Sequence, residues 1–137
     1  MKYVAFLIVS FIFIPVFTYC QGKAAINKVA SLPEVKEFMQ QAVKSHPKMM
    51  IAREPDKDFH YYWVKVGLGN LDMFRTNYDF YVDLKTNNVF YTDFYTESVE
   101  QKLTLSQWRR WRVLPGWQKL HCYHRDKKRL SFQACKL

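Results

Sequence analysis

Histidine and cysteine lie close together near the carboxyl end of this chain. His121, Cys122 and His124 fall within four residues, and His60 is a further candidate ligand from the middle of the sequence. Imidazole nitrogens and thiolates are the ligands that zinc prefers, so a metal site is one interpretation. In an oxidising compartment a disulfide to Cys135 explains Cys122 better, and the histidines are then surface residues of a basic strand. We therefore expect no metal and no cofactor.

Three carboxylates, Asp79, Asp83 and Asp93, fall near one another in a predicted hairpin. General acid–base catalysis needs such groups paired in a pocket. Asp79 and Asp83 lie on the predicted wet face of a strand, where carboxylates are solvated or paired with arginine. No serine or cysteine nucleophile lies in a recognisable elbow, and the pair Gly67 and Gly69 is too sparse for a phosphate-binding loop. We expect no catalytic activity.

Aromatic and arginine side chains are more informative, because they dominate the energetics of protein interfaces. Aromatic residues make up 18% of the chain, and residues 108–112 combine two tryptophans with three arginines. That run suits an anionic partner or a membrane surface. In the alternative interpretation, which we favour for the tryptophans, they pack onto a sheet. The candidate binding residues are Trp108, Arg109, Arg110, Trp111, Arg112, Trp117, Tyr61 and Trp63.

Both faces of the predicted strand Phe59–Leu68 carry bulky side chains. Tyr61 and Trp63 lie on one face, and Tyr62 and Val64 lie on the other. One face must cover the helix side of the sheet. The other either forms the rim of a large core or meets a protein partner, and the sequence leaves both interpretations open.

The elements that would position these residues begin with a helix. Ser31 and Glu34 fit an S-x-x-E capping box, with Pro33 in the permissive first turn. Apolar residues then recur at helical spacing, which indicates one buried face. These signals predict a single long helix from Leu32 to Ser45.

Strand signals follow with a period of two. Residues 74–84 alternate between apolar and polar side chains, which predicts one buried and one wet face. A turn at Lys85–Asn88 then joins two strands into a hairpin, with asparagine tolerant of the left-handed region. The predicted strands are Met49–Arg53, Phe59–Leu68, the segment from Phe74 to Leu84, and Val89–Thr96.

The carboxyl-terminal third contains a second, shorter helix. Thr104 and Gln107 fit another capping box, and the predicted helix spans Leu105–Arg112. Two short strands are predicted at Leu120–His124 and Arg129–Ala134. The fold class is therefore α+β, with one long helix packed on a curled antiparallel sheet of four or five strands, plus a short C-terminal helix.

The amino terminus has the pattern of a secretory signal peptide. Lys2 supplies the positive charge, and Val4–Phe17 is almost continuously apolar yet too short to span a membrane comfortably. We predict a signal peptide at 1–20 and a single domain at 21–137, located outside the cell or in the periplasm. Lipidation of Cys20 is the less favoured alternative, because a bulky tyrosine precedes it where a lipobox has a small residue.

Cleavage after residue 20 leaves two cysteines, Cys122 and Cys135. An even pair in an exported chain predicts a disulfide. By loop entropy it would stabilise the domain by about 2–3 kcal/mol.

The net charge of +9 is unevenly placed, since Gln107–Leu137 holds nearly all of the excess. Such a concentrated field favours an acidic protein or an anionic envelope component as partner. The predicted compartment disfavours nucleic acid, and membrane contact would be at most peripheral.

The segment Phe80–Val89 resembles the hairpin of PepSY-type domains, which belong to the cystatin-like α+β folds. The shared pattern is apolar residues, Asp83, two residues, then threonine, glycine, one residue and valine, and Asn87 stands in place of the glycine. The resemblance implies a cystatin-like fold that binds proteins or peptides. Val66–Gly69 and Leu114–Trp117 are similar to cystatin inhibitory hairpins, although the Q-x-V-x-G motif is absent.

These observations predict an exported, non-catalytic domain that binds or inhibits an acidic protein. One alternative is an NTF2-like small-molecule binder or enzyme, which favours extra N-terminal helices that the short stretch before Ser31 cannot supply. The other alternative is a membrane-surface or antimicrobial protein, which predicts liposome binding through Arg109, Arg110 and Arg112.

Overall fold

The computed structural model describes residues 20–70, 73–93, 102–115, 121–124 and 127–130, the last two ranges for their backbone. The predicted signal peptide, apart from Cys20, lies outside the described residues. Trp117 and Cys135 also lie outside them, so the disulfide stays a prediction. The thiol of Cys20 is free and exposed.

The described chain is of the α+β class, as expected. A five-stranded antiparallel sheet has its strands in sequence order, and a separate hairpin follows near the carboxyl end. No helix among the described residues is long and apolar enough to cross a membrane. The elements are α1 (residues 20–30), α2 (Pro33–Gln41), a 3-10 turn (Val43–Ser45), β1 (Pro47–Arg53), β2 (Tyr62–Gly69), β3 (Phe74–Asp83), β4 (Asn88–Thr92), β5 (Leu103–Thr104), α3 (Leu105–Arg112), β6 (His121–His124) and β7 (Lys127–Leu130).

The region of the predicted long helix contains α2 and a separate 3-10 turn, and the predicted capping box is wrong. Leu32 is the N-cap of α2, and no side chain bonds to the cap. The hydroxyl of Ser31 instead donates to the carbonyl of Lys28, which closes the end of α1. Pro33 starts α2 as expected, because its missing N–H is not needed in the first turn.

Helix α1 was not predicted, and it is integral to the fold. Ala25 and Val29 are fully buried in the main core cluster. Gly22 lies so close to Ile51 that an added Cβ would approach its side chain to 2.9 Å. The stretch before Ser31 therefore does supply an N-terminal helix, contrary to expectation.

One side of the sheet, here called the helix face, carries the main core. The register places Val64 beside Phe80 and Phe80 beside Tyr91, so these side chains point to the same side. Val64, Val66, Phe80 and Val82 are fully buried there. Residues of α1, α2 and α3 pack in the same cluster.

The opposite side, here called the ring face, is the one that the sequence predicts to be wet. That prediction is wrong at Asp79 and Tyr81, which are 5% and 7% exposed. The reason is that Trp63 of β2 lies beside Tyr81 in the register. Large rings from neighbouring strands therefore cover the polar positions of β3.

The short helix α3 is confirmed over its predicted range. Thr104 and Gln107 form the expected capping box, with the hydroxyl of Thr104 accepting from the backbone of Gln107. Trp108 is 1% exposed and stacks on Tyr91, with ring centroids 5.1 Å apart. The interpretation that this tryptophan packs onto the sheet is confirmed.

The hairpin turn after β3 also agrees with expectation. Asn87 adopts the left-handed region with φ 60°, which asparagine tolerates better than most residues. The carboxylate of Asp83 accepts from the backbone of Lys85 and Thr86 and fixes the turn. Strand β6 lies within its predicted range, whereas β7 begins two residues before the predicted Arg129.

An ion pair joins α3 to α2 over a separation of 75 residues. Arg109 donates from Nε to Oε1 of Glu34 at 2.6 Å and from Nη2 to Oε2 at 3.3 Å. Arg112 lies 3.8 Å from the same carboxylate. Burial alone would raise the pKa of Glu34, but the hydrogen bond and charge of Arg109 outweigh it and hold that pKa below its ordinary value.

Substitution of Val29 tests whether α1 belongs to the folded domain. A charge at this fully buried position has no partner, so Val29→Asp should lower the free energy of unfolding by about 3 kcal/mol or more. Asn27→Asp adds the same charge at an exposed position of the same helix and should change it by less than about 0.5 kcal/mol. Urea denaturation measures both, and equal stability of the two variants would show that α1 is not part of the cooperative unit.

Substitution of Glu34 tests the ion pair. Glu34→Gln should lower the free energy of unfolding by about 1–2 kcal/mol at neutral pH. This is less than a fully buried ion pair would contribute, because the side chain of Arg109 is 45% exposed and water screens its charge. The pKa of Glu34 is lowered, so its contribution is present above the ordinary pKa of glutamate and is lost as the pH falls through the folded value. The difference between the two proteins should therefore shrink in acid.

The matched control for that experiment is Glu37→Gln on the exposed side of α2. Glu37 accepts a bond from Gln41 within its own helix, and glutamine can replace it there. A loss as large as that of Glu34→Gln would contradict a specific role for the pair with Arg109.

Candidate functional site

The structure divides the predicted binding residues between the two sides of the sheet. The tryptophans and arginines of α3 lie on the helix side, with Trp108 and Trp111 packed against the main core cluster. Tyr61 and Trp63 belong to the ring face. The side chain of Trp117 lies outside the described residues. The eight candidates therefore do not form one surface.

The α3 group is engaged mainly in holding the fold. Trp108 is buried, so it is not accessible to a partner. Arg109 is bonded to Glu34, and the guanidinium of Arg112 lies 5.1 Å from the ring centre of Trp108 and covers it. Arg110 is exposed, and no ion pair to it is seen within the described ranges.

Five rings in mutual contact build the ring face. Tyr61 stacks on Tyr81 with centroids 5.6 Å apart, and it meets Phe90 edge-on at 6.0 Å. Trp63 and Phe59 each meet the ring of Tyr81 edge-to-face, with ring centroids 5.8 Å and 5.3 Å from that of Tyr81. These are the edge and offset geometries that aromatic pairs prefer. Tyr61, Trp63 and Phe90 remain partly exposed, whereas Phe59 and Tyr81 are buried.

Cationic side chains lie over these rings. The guanidinium of Arg53 is 4.4 Å from the ring centre of Phe59, and the ammonium of Lys65 is 4.8 Å from that of Trp63. The ammonium of Lys102 is 5.2 Å from both Tyr61 and Phe90. Each is within the distance at which a cation is attracted to an aromatic face.

Sequence reasoning identified the rings of Tyr61 and Trp63 but missed the three cations of the ring face. Arg53, Lys65 and Lys102 are isolated in the sequence, and they come together only because β1, β2 and the residue before β5 present side chains to the same face. The available signal was that the predicted strand Phe59–Leu68 carries bulky side chains on both of its faces, which indicates that aromatic residues cover the ring face as well as the helix face.

Asp79 lies beneath the rings and is buried, with 5% of its surface exposed. The indole Nε1 of Trp63 donates to its Oδ1 at 2.8 Å. Burial raises the pKa of Asp79, the bond from Trp63 and the charge of Lys65 oppose that rise, and Asp93 adds to it. The expectation that Asp79 is solvated or paired with arginine is wrong.

Asp79 and Asp83, two of the three carboxylates considered for catalysis, have different environments. Burial tends to raise the pKa of Asp83, but its bonds from the Thr86 side chain and the turn backbone lower it overall. The pKa of Asp83 is therefore below its ordinary value because of a structural turn, whereas the pKa of Asp79 is above its ordinary value because of burial.

The glycine pair of β2 has a structural explanation. Gly67 lies at a register shift between β2 and β3, where an added Cβ would meet the carbonyl oxygen of Arg75 at 2.1 Å. Only glycine permits that approach. Gly67 and Gly69 belong to the strand itself rather than to a loop.

Neither a metal-binding group nor a cavity among the described residues offers a second candidate site. No group of three or more histidine, cysteine or acidic side chains is suited to hold a metal among them. A depression of about 380 Å³ lies beside the start of α1, lined by Gln21, Asp56, His60 and Tyr62 with residues of the β3–β4 turn. Asp56 and Asp83 at its rim are both bonded within turns.

No protein-family model, curated protein or solved structure matches this chain.

Asp79 and Asp83 should affect stability with opposite sign at neutral pH. Asp79 has a raised pKa, so the folded protein loses stability as the pH rises from the ordinary pKa of aspartate through the folded value. Asp79→Asn removes that loss and keeps an oxygen for Trp63, so it should be more stable than the parent at pH 7. The gain should vanish at about pH 3, where aspartate is protonated in both states.

Asp83→Asn is the control on the same strand. Its lowered pKa means that the charge stabilises the fold above the ordinary pKa and that this contribution is lost in acid. This variant should therefore be less stable than the parent at pH 7. Urea denaturation at both pH values measures the two effects, and a loss for Asp79→Asn at pH 7 would contradict the raised pKa.

Proposed function

We propose that this chain is an exported, non-catalytic binding domain of cystatin-like or PepSY-like type, and that it holds or inhibits an acidic protein. The partner lies on the ring face. The basic carboxyl-terminal third adds a long-range attraction to the same partner, since nearly all of the net charge of +9 lies there.

The observation that carries this proposal is the set of cations over the aromatic rings. Lys65 and Lys102 lie over Trp63, Tyr61 and Phe90, all of which keep part of their surface exposed. Aromatic residues and cations of this kind are typical of the residues that dominate binding energy at protein interfaces. An acidic side chain of the partner gains an ion pair here while its apolar stem packs on the rings.

The environment of Asp79 supports the same partner. Asp79 is 5% exposed and lies beneath the rings, where Trp63 donates to its carboxylate, so its charge is covered from a partner. Lys65 and Lys102 keep part of their surface exposed and so present positive charge to a partner, which favours carboxylates on that partner. The antiparallel sheet with helices on one side supports the cystatin-like assignment, and members of that fold group mostly bind proteins or peptides.

A second candidate is the NTF2-like small-molecule binder, and the observation in its favour is α1. That class was disfavoured for lack of an N-terminal helix, and α1 supplies one. The helix face argues against it, however, because Phe80, Val82 and Trp108 fill the space in which such a ligand would lie. We therefore favour protein binding on the ring face.

Two double variants test this proposal. Lys65→Gln with Lys102→Gln removes two charges from the ring face, and Lys23→Gln with Lys57→Gln removes two exposed charges elsewhere. The immobilised protein is exposed to secreted and envelope extracts, and the apparent dissociation constant of each retained protein is measured. The ring-face variant should bind its partner about tenfold or more weakly, equivalent to about 1.4 kcal/mol, and the control should bind like the parent.

Both alternative outcomes contradict the proposal. Equal weakening in the two variants means that binding follows net charge without using the ring face. Unchanged binding in both variants places the contact on another part of the chain. Because surface lysines contribute little to stability, neither variant should unfold.

A further inference from the structure

Asp79 lies beside two side chains of β2 on the ring face. The register sets Asp79 directly opposite Lys65, and it places Trp63 diagonally from Asp79, because Trp63 pairs with Tyr81. Long and aromatic side chains reach both the direct and the diagonal neighbour on an antiparallel strand. The carboxylate of Asp79 can therefore act on Trp63 and Lys65 together, and both belong to the surface that the proposed partner meets.

One hydrogen bond selects the orientation of the Trp63 indole. Nε1 is the only hydrogen-bond donor of a tryptophan side chain, and here it donates to Oδ1 of Asp79 at 2.8 Å. The torsion that turns an aromatic ring about its bond to Cβ is broad and roughly twofold, so the torsion itself does not choose between opposite orientations. The bond to a buried carboxylate chooses the one in which the N–H edge points inward.

The position of the Lys65 ammonium depends on that orientation. It lies 4.8 Å from the ring centre of Trp63, within the range of attraction between a cation and an aromatic face. Lys65 is also opposite Asp79 and is attracted to its charge. The carboxylate, the indole and the ammonium therefore form one connected group.

Burial of Asp79 has a cost in stability that its bond offsets only in part. Asp79 is 5% exposed, and burial raises its pKa even though Trp63 and Lys65 oppose the rise. An asparagine would supply an acceptor without this cost, but a carboxylate accepts a stronger hydrogen bond and also attracts Lys65. Groups that a protein keeps at a cost in stability are often tied to its function.

We propose that Asp79 is a positioning residue of the ring face: its carboxylate fixes the indole of Trp63, and the indole fixes the ammonium of Lys65 where an acidic side chain of the partner binds. Asp79 itself does not touch the partner, because the rings cover it. The surface is ordered before the partner arrives, which reduces the entropy lost on binding. The benefit to binding rests on the proposed function, whereas the positioning is a property of the free protein.

Two variants of equal charge separate positioning from electrostatics. Asp79→Asn keeps an oxygen that accepts from Trp63, whereas Asp79→Leu has a similar shape and no acceptor. Because the site is buried, both variants should fold, and Asp79→Ala is a second variant that lacks the acceptor and adds no bulk. If Asp79 acted only through its charge, the asparagine and leucine variants would bind an acidic probe equally.

Nuclear magnetic resonance of the free protein tests the positioning without any partner. The Nε1 proton of Trp63 should exchange with solvent about tenfold or more faster in Asp79→Leu than in the parent, because it loses its acceptor. The side-chain methylene protons of Lys65 next to the ammonium should lose the upfield shift that the indole ring current causes. Asp79→Asn should stay close to the parent in both signals, and so should Asp83→Asn, the matched control on the same strand.

A fluorescently labelled polyglutamate peptide is the acidic probe for binding, measured by anisotropy. Asp79→Leu should bind it about threefold or more weakly than Asp79→Asn, although the two have the same net charge. The double variant Lys65→Gln with Lys102→Gln should also bind it more weakly than the parent, because both cations belong to the ring face.

The two measurements fail separately. Exchange at Trp63 that is unchanged in Asp79→Leu, or equally fast in Asp79→Asn, overturns the positioning role whatever the peptide shows. Equal peptide binding by these two variants overturns it as well when the lysine double variant does weaken binding. If the Trp63 and Lys65 signals change as expected but the lysine double variant binds the peptide like the parent, the positioning stands and the proposed function fails.

Discussion

The contact between Trp108 and the sheet is the interaction on which the helix side of this fold depends. The indole stacks on Tyr91 and meets Phe80 edge-on at 5.3 Å, so one side chain joins α3 to two strands. The bond of Arg109 to Glu34 then ties α3 to α2, and Arg112 covers the indole. An arginine-rich helix can pack so deeply because its two tryptophans pack against the core cluster and two of its arginines have a buried or aromatic partner.

Sequence signals correctly predicted the elements whose stabilising hydrogen bonds and backbone conformations involve only residues that are close in the chain. The Thr104 and Gln107 capping box places α3 correctly, and Asn87 occupies the left-handed turn position. The Ser31 and Glu34 motif has the same local form but fails, because Glu34 bonds to Arg109 on a distant helix instead. A sequence window cannot show that competition. Helix α1 was missed for a related reason, since its residues directly follow an apolar segment that is typical of an export signal.

The candidate site shows the same limit more strongly. Tyr61 and Trp63 could be selected from the sequence as aromatic residues on one side of a strand. Their neighbours Lys65 and Lys102 are 37 positions apart, and only the strand order brings them to the same face. The alternation along β3 correctly predicted which residues from Tyr78 to Asp83 share a side, but it is wrong for Phe74 and Arg75, because the register shift beside Gly67 exchanges the two sides there. It could not predict that the polar side would be covered, because Trp63 belongs to another strand.

A sheet with large rings on both sides constrains how the two sides can be used. On the helix face, fully buried residues such as Phe80 leave no surface for a ligand, so this side specifies the fold. On the ring face, Phe59 and Tyr81 are buried while Tyr61, Trp63 and Phe90 keep part of their area exposed. Their edges are fixed by contacts with buried neighbours, so a partner that binds there meets rings whose conformational freedom is already restricted. Preorganisation of this kind reduces the conformational entropy that is lost on binding. The buried rings of Phe59 and Tyr81 therefore favour recognition by holding the exposed rings in place.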